Sequence, residues 1–145
     1  MTTEEINFTP RSQKLLQATK RIALAFRHDE ILLPHLFAAF FELKQAKSLS
    51  LAIDLGLDLD KLRRVLYEEI LSDLPNNPIE PSQIKLSQFI VSILKQSTEI
   101  ASEFQHGWVS VDHVFLAILD NFEKWPKKIR SLFSFDLTEL FTDIV

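Results

Sequence analysis

The sequence predicts an all-α protein, a pseudo-twofold bundle of two four-helix repeats with eight helices in all. Three observations predict it. The chain matches itself when shifted by 78 residues, apolar residues recur at helical spacing in both copies, and no stretch shows the period-two alternation of a turn-bounded strand. Compared without gaps, residues 8–67 and 86–145 share eleven identities in sixty pairs. These are Leu16/Leu94, Ile22/Ile100, Ala23/Ala101, Phe26/Phe104, His28/His106, His35/His113, Phe37/Phe115, Ala39/Ala117, Asp58/Asp136, Leu59/Leu137 and Leu62/Leu140. Unrelated chains of ordinary composition would share roughly four. Many other pairs are apolar on apolar, including Phe8/Leu86, Leu15/Ile93, Ile31/Val109, Leu36/Val114, Phe41/Leu119 and Leu66/Ile144. Self-similarity at one period means one structural unit used twice. The 145 residues therefore read as one domain, with repeat one at 8–74, a linker at 75–82 and repeat two at 83–145.

Each element has a local cause. Thr9-Pro10 is a cap followed by proline at the first helical position, where its missing N–H costs nothing. Leu15, Leu16, Ala18, Ile22, Ala23 and Phe26 then mark the buried face of a helix. Ser87 is the matching cap, followed by Ile90, Val91, Ile93, Leu94, Ile100, Ala101 and Phe104. A second helix opens near Leu33-Pro34-His35 and runs through the Phe37–Leu43 region. Its counterpart opens at Ser110-Val111-Asp112-His113 with Ser110 as cap. Both second helices are apolar nearly all round, so they form the centre of the bundle. Short third helices fall near Ser48–Leu55 and Pro126–Phe133. Fourth helices begin at Asp58 and Asp136, and Asp136-Leu137-Thr138-Glu139 has the layout of a capping box. Between the repeats, Pro75, Pro78 and Pro81 stop any helix and favour an extended join.

Composition narrows the function. There is no cysteine, which excludes disulfides, thiolate metal sites and a cysteine nucleophile. The two glycines, Gly56 and Gly107, cannot write a phosphate-cradling loop. A net charge of −4 argues against nucleic acid as the main partner. No apolar run approaches the roughly 20 residues that span a bilayer. The start Met-Thr-Thr-Glu-Glu lacks the basic-then-apolar layout of a signal peptide, so a cytoplasmic location is expected.

The histidines His28, His35, His106 and His113 read as hydrogen-bonded structural groups, because Pro34 and the 29–33 loop break the helical spacing that metal-binding histidines use. Ser110, Asp112 and His113 are neighbours at a helix start, where Ser and Asp cap free N–H groups; they are not spaced as a catalytic triad. The twelve phenylalanines read mainly as core. Trp108 is different, because its counterpart in repeat one is the charged Glu30. Tryptophan in a loop where the sister unit is charged is a candidate binding anchor. Trp125-Pro126 reads as a wedge at a helix start, and Lys61, Arg63 and Arg64 as a solvated face.

These residues resemble a known family. Phe8-Thr9, Leu15-Leu16, His28, Ile31, Pro34-His35-Leu36-Phe37 and Leu55-Gly56-Leu57-Asp58, with Leu86-Ser87, His106, Val109 and Asp112-His113-Val114-Phe115 in repeat two, resemble the N-terminal domain of Clp-type AAA+ unfoldases. The resemblance covers residues 8–145 and rests on the double occurrence at constant offset. It implies a non-enzymatic module that receives protein substrates or adaptors, as a short helix or peptide, for ATPase rings in the same or another chain. A stand-alone regulator competing for adaptors is the alternative. Thr9 and Ser87 lie where the family places peptide or phosphoryl-group sites. Relatives that bind phosphoarginine carry glutamate where this chain has Pro34 and Asp112; proline has no charge to order a guanidinium. The proline-rich join also resembles the unfoldase branch that recycles the type VI secretion sheath. The partner-binding candidates are therefore Thr9, Glu30, Pro34, Ser87, Trp108 and Asp112. No catalytic residue, metal or cofactor is expected.

Overall fold

In the computed structural model, which describes residues 6–42 and 47–144 with the side chain of Phe41 excepted, every predicted helix forms. Helix α1 (Pro10–Ala25) starts at Thr9, whose Oγ1 accepts from the Ser12 N–H at 3.2 Å. Helix α5 (Gln88–Glu103) starts in the same way at Ser87, whose Oγ accepts from the Ile90 N–H at 3.2 Å. The central pair is α2 (Leu33–Glu42) and α6 (Val111–Leu119). Helices α3 (Lys47–Asp54) and α4 (Leu59–Arg64) complete the first half, and α7 (Lys127–Arg130) and α8 (Leu137–Ile144) the second. Helix α4 continues through a π-helical turn at Val65–Ile70 and a 3-10 turn at Leu71–Asp73. The expected run to Leu43, the Phe41/Leu119 pairing, the Met1–Glu5 start and the Val145 end of repeat two lie outside the described residues.

Helix α7 is shorter than the expected Pro126–Phe133. After Arg130 the chain tightens, and the N–H groups of Leu132 and Phe133 donate to the carbonyls of Ile129 and Arg130, three residues back.

The repeat is visible in how helices end. Arg27 (φ 59°) and Gln105 (φ 58°) are 78 positions apart and both left-handed. The Arg27 and His28 N–H groups donate to the Leu24 and Ala23 carbonyls; those of Gln105 and His106 donate to Ser102 and Ala101. This is the Schellman closure.

The absence of strands expected from the sequence needs one correction. Glu30–Ile31 (β1) pairs in parallel with Lys85–Leu86 (β2), and Phe8 bridges Val109 in parallel. The 78-residue shift carries Phe8 to Leu86 and Ile31 to Val109, so the two pairings are one pairing used twice. The Thr9 N–H donates to the Val109 carbonyl at 3.0 Å, and the Ser87 N–H to the Ile31 carbonyl, also at 3.0 Å. Ile31, Phe8 and Val109 are buried, so their backbone groups need partners inside the protein. Two-residue strands are too short to leave an alternating pattern.

The core is continuous across both halves. All but the ends of α2 and α6 are buried, and Phe40 meets Phe115 edge-on with ring centres 5.3 Å apart. Each such side chain contributes roughly 1.5–3 kcal/mol by leaving water. Helix α3 of the first half packs on α8 of the second.

Candidate functional site

The four histidines form two equivalent pairs. His28 Nδ1 lies 2.8 Å from His35 Nε2, and His106 Nδ1 lies 2.9 Å from His113 Nε2. His35 Nδ1 accepts the Leu32 N–H at 2.9 Å, and His113 Nδ1 accepts the Ser110 N–H at 2.9 Å. A nitrogen that accepts carries no proton, so the proton of each second-helix histidine sits on Nε2 and is donated to its partner. Burial and the neighbouring His28 hold His35 down at about 4, and burial lowers His28 and His113. Each of the four rings is hydrogen-bonded within its pair. Among the described residues no group of three or more His, Asp or Glu is placed to hold a metal ion.

Ser110 and His113 close a capping box: Ser110 Oγ accepts from the His113 N–H while the His113 ring accepts from the Ser110 N–H. The ring nitrogen facing Ser110 Oγ, at 3.1 Å, is thus already engaged and is not a free base. Asp112 reaches across to the first half. Its Oδ1 accepts the Ser48 N–H at 3.0 Å and so caps the start of α3 in the other half.

The remaining candidates are spread over the scaffold. Thr9 and Ser87 use their hydroxyls as caps and their N–H groups in the two bridges. Glu30 is exposed on β1, opposite Lys85. Pro34 is buried in the first turn of α2.

Among the surface openings of the described residues, two bear on docking, one at the junction of the halves and one beside Trp108. The first is an apolar groove of about 230 Å³ between the halves, lined by Leu16, Ile31, Leu86, Ile90 and Leu94, among others, with Lys20 its one charged lining residue. Leu16 and Leu94 are repeat equivalents and both face it, so it lies on the pseudo-twofold junction. Leu16 and Leu86 are half-buried. The second is a concavity of about 560 Å³ in the second half, with Trp108, Asp112, Phe104 and the His106–His113 pair in its lining. Trp108 is 57% exposed. Of the six sequence candidates, only Trp108 and Asp112 come together there. Sequence reasoning missed the groove residues as a site, because apolar residues at helical spacing read as core; the identity of Leu16 with Leu94 was the available signal. By contrast, Trp125 is buried, donates from Nε1 to the Ile118 carbonyl at 2.8 Å and packs on Phe37, Phe122 and Phe133. No described helix is long and apolar enough to cross a membrane.

Comparison with known proteins places this arrangement. Residues 7–129 match the Clp repeat (R) N-terminal domain family. The chaperone protein ClpB of Clostridium perfringens is 25% identical over 114 residues, which is 77% of this chain and 13% of that protein. The chain spans 13–15% of the length of the curated ClpB relatives it matches. Among solved structures, the Hsp104 N-terminal domain from Candida albicans superposes with a TM-score of 0.79 at 19% identity, covering 95% of this chain and 89% of that one. A ClpV N-domain in complex with a VipB peptide superposes with a TM-score of 0.75 at 18% identity, covering 92% and 82%. At these identities the structural likeness shows the fold.

Proposed function

This chain belongs to the Clp N-terminal domain family, and on that footing we propose that it is a non-catalytic module that docks protein substrates or adaptors for a Clp-type AAA+ unfoldase. The working division is repeat one at 8–74, linker 75–82 and repeat two at 83–145, acting as one domain in the cytoplasm. The observation that carries the reading is the apolar groove at the junction, to which both halves contribute. Half-buried Leu16 and Leu86 leave apolar surface that a partner can cover. A short amphipathic helix or peptide supplies the apolar anchors, and an acidic residue beside them faces Lys20. With one charged lining residue, affinity comes mostly from burial.

The likeness to the ClpV N-domain that binds a VipB peptide favours a second, narrower reading. In it the partner is a helix of a type VI secretion sheath protein.

The test is titration of fluorescent amphipathic peptides, sheath-derived helices among them, against the chain and its Leu16→Asp and Leu86→Asp variants. Both residues are half-buried, so circular dichroism and melting first establish that the variants fold. Docking in the groove predicts an affinity loss of about tenfold or more. Peptides that bind folded variants as tightly as the parent overturn the groove assignment.

A further inference from the structure

On the footing of docking at the junction groove, we infer that the proline-rich linker is a movable wall of that groove, and that Asp29 is the positioning residue that sets how far it opens. The groove has fixed and movable sides. Ile31, Leu36, Ile90 and Leu94 line it as buried members of the core, whereas Ile84 and Leu86 are half-buried. Ile84 ends the linker and Leu86 lies on β2. Their repeat equivalents, Ile6 and Phe8, are 9% and 6% exposed. The same segment is thus seated in the core at one place and only laid against it at the other. A segment with few buried apolar contacts opens at a small cost in free energy.

Asp29 holds the wall at two points. Its carboxylate accepts the side-chain amide of Asn77, and its carbonyl accepts the Lys85 N–H at 3.4 Å. The second bond is long for an N–H···O contact and so is the weaker. The Asn77 N–H also donates to the Arg27 carbonyl at 2.7 Å. Of the residues between Asn77 and Lys85, Ile79 and Ile84 are half-buried and the others exposed. Pro78 and Pro81 fix their φ angles, and Pro81–Gln83 forms a 3-10 turn, so the segment is stiff. Beyond it the Ser87 N–H donates to the Ile31 carbonyl at 3.0 Å and α5 begins. Stiff, and anchored at Ser87, the segment swings as a flap and does not unravel.

Size makes the movement necessary. The groove holds about 230 Å³, below the roughly 300–1,000 Å³ of clefts that enclose a small molecule. A slim aliphatic anchor enters with the wall in place. A bulky aromatic one enters by pushing Ile84 and Leu86 outward, which breaks the bonds of Asn77 and Lys85 to Asp29. The clasp therefore discriminates among partners by the bulk of their apolar anchor. The repeat shows why a clasp is needed here. Asp29 has Gly107 as its equivalent, with no side chain to hold a neighbouring segment, and there burial of Ile6 and Phe8 holds the segment instead.

The experiment compares the parent chain with Asp29→Ala, Asp29→Asn and Asn77→Ala. Both residues are exposed, so the variants fold, and melting verifies it. Asparagine at position 29 keeps an oxygen that accepts the Asn77 amide. Two fluorescent amphipathic peptides, alike except for leucine or tryptophan at the central anchor, are titrated against each protein. The tryptophan-to-leucine affinity ratio should rise by about threefold or more in Asp29→Ala and Asn77→Ala, the worth of one exposed hydrogen bond, and should keep the parent's value in Asp29→Asn. Amide hydrogen exchange at Lys85 should quicken in Asp29→Ala, while that at Thr9, in the equivalent bridge, stays the same. A ratio in Asp29→Ala equal to the parent's, or an unchanged exchange rate at Lys85, overturns the movable wall and leaves docking in place. A parent that binds neither peptide overturns the docking reading, and the wall's role with it.

Discussion

His35 Nε2 donates to His28 Nδ1 while His35 Nδ1 accepts the Leu32 N–H, so both nitrogens of this fully buried ring are committed to the neutral form. Protonating His35 would break the Leu32 bond and place a charge beside His28. Its folded value is accordingly depressed to about 4 from an ordinary 6.5. The sign follows from proton binding. Above pH 6.5 both folded and unfolded chains hold the ring neutral, so the full stability is present. Between 6.5 and 4 the unfolded chain takes up the proton first, and stability falls by about 3 kcal/mol. His28 and His113 are lowered too and act in the same direction. Urea unfolding at pH 7 and pH 4.5 measures this. A His35→Gln variant should be less stable at pH 7 but flatter with pH; an identical slope would remove His35 as the cause.

The left-handed residues at the ends of α1 and α5 are not glycine, whereas α3 ends through the same closure at Gly56, where φ is 121°. Arg27→Gly and Gln105→Gly relieve the crowding of Cβ with the backbone, which should stabilise by roughly 0.5–1 kcal/mol each. The sites lie at equivalent places in opposite halves, so the gains should add. A double variant should melt a few degrees higher, at about 2–4 °C per kcal/mol for a domain of this size. Alanine at the same positions keeps Cβ and should give no such gain.

Asp112 joins the halves by accepting the Ser48 N–H. Asp112→Ala removes that cap and should cost about 1 kcal/mol, while Asp112→Asn keeps an acceptor and should cost less. Urea midpoints order the three proteins. Equal stability of Asp112→Ala and the parent would show that the bond contributes nothing to folding.

The legible parts of this molecule were those governed by local chemistry. Thr9, Ser87, Asp58 and Ser110 announced their helices because a cap acts within one turn. The near-complete burial of α2 and α6 followed from sequences apolar on every face. What stayed hidden depends on approach between distant segments. The Phe8–Val109 and Ile31–Leu86 pairings join residues far apart in sequence, and two residues leave no period. The groove is hidden for a related reason: Leu16 and Leu94 look like core until the angle between α1 and α5 is known. Trp108 was legible only because its repeat partner is Glu30, a contrast that duplication supplies and a single copy would not.

The two tryptophans separate stability from recognition. Trp125 is 3% exposed, its Nε1–H is bonded to the Ile118 carbonyl, and its ring meets three phenylalanines edge-on or nearly so. Trp125→Phe keeps most of the apolar contact but loses the Nε1–H bond to the Ile118 carbonyl, which still accepts the Asn121 N–H, and leaves space, so a loss of roughly 1–3 kcal/mol is expected. Trp108 is more than half exposed and makes no comparable set of ring contacts among the described residues. Trp108→Ala should change stability by less than about 0.5 kcal/mol, the usual range for a surface site. Chemical denaturation of both variants, followed by far-UV circular dichroism, makes the comparison without relying on either fluorophore. A large stability loss at Trp108 would mean that the ring is held by the fold and is not available to a partner; a small one leaves its exposed indole free for contact.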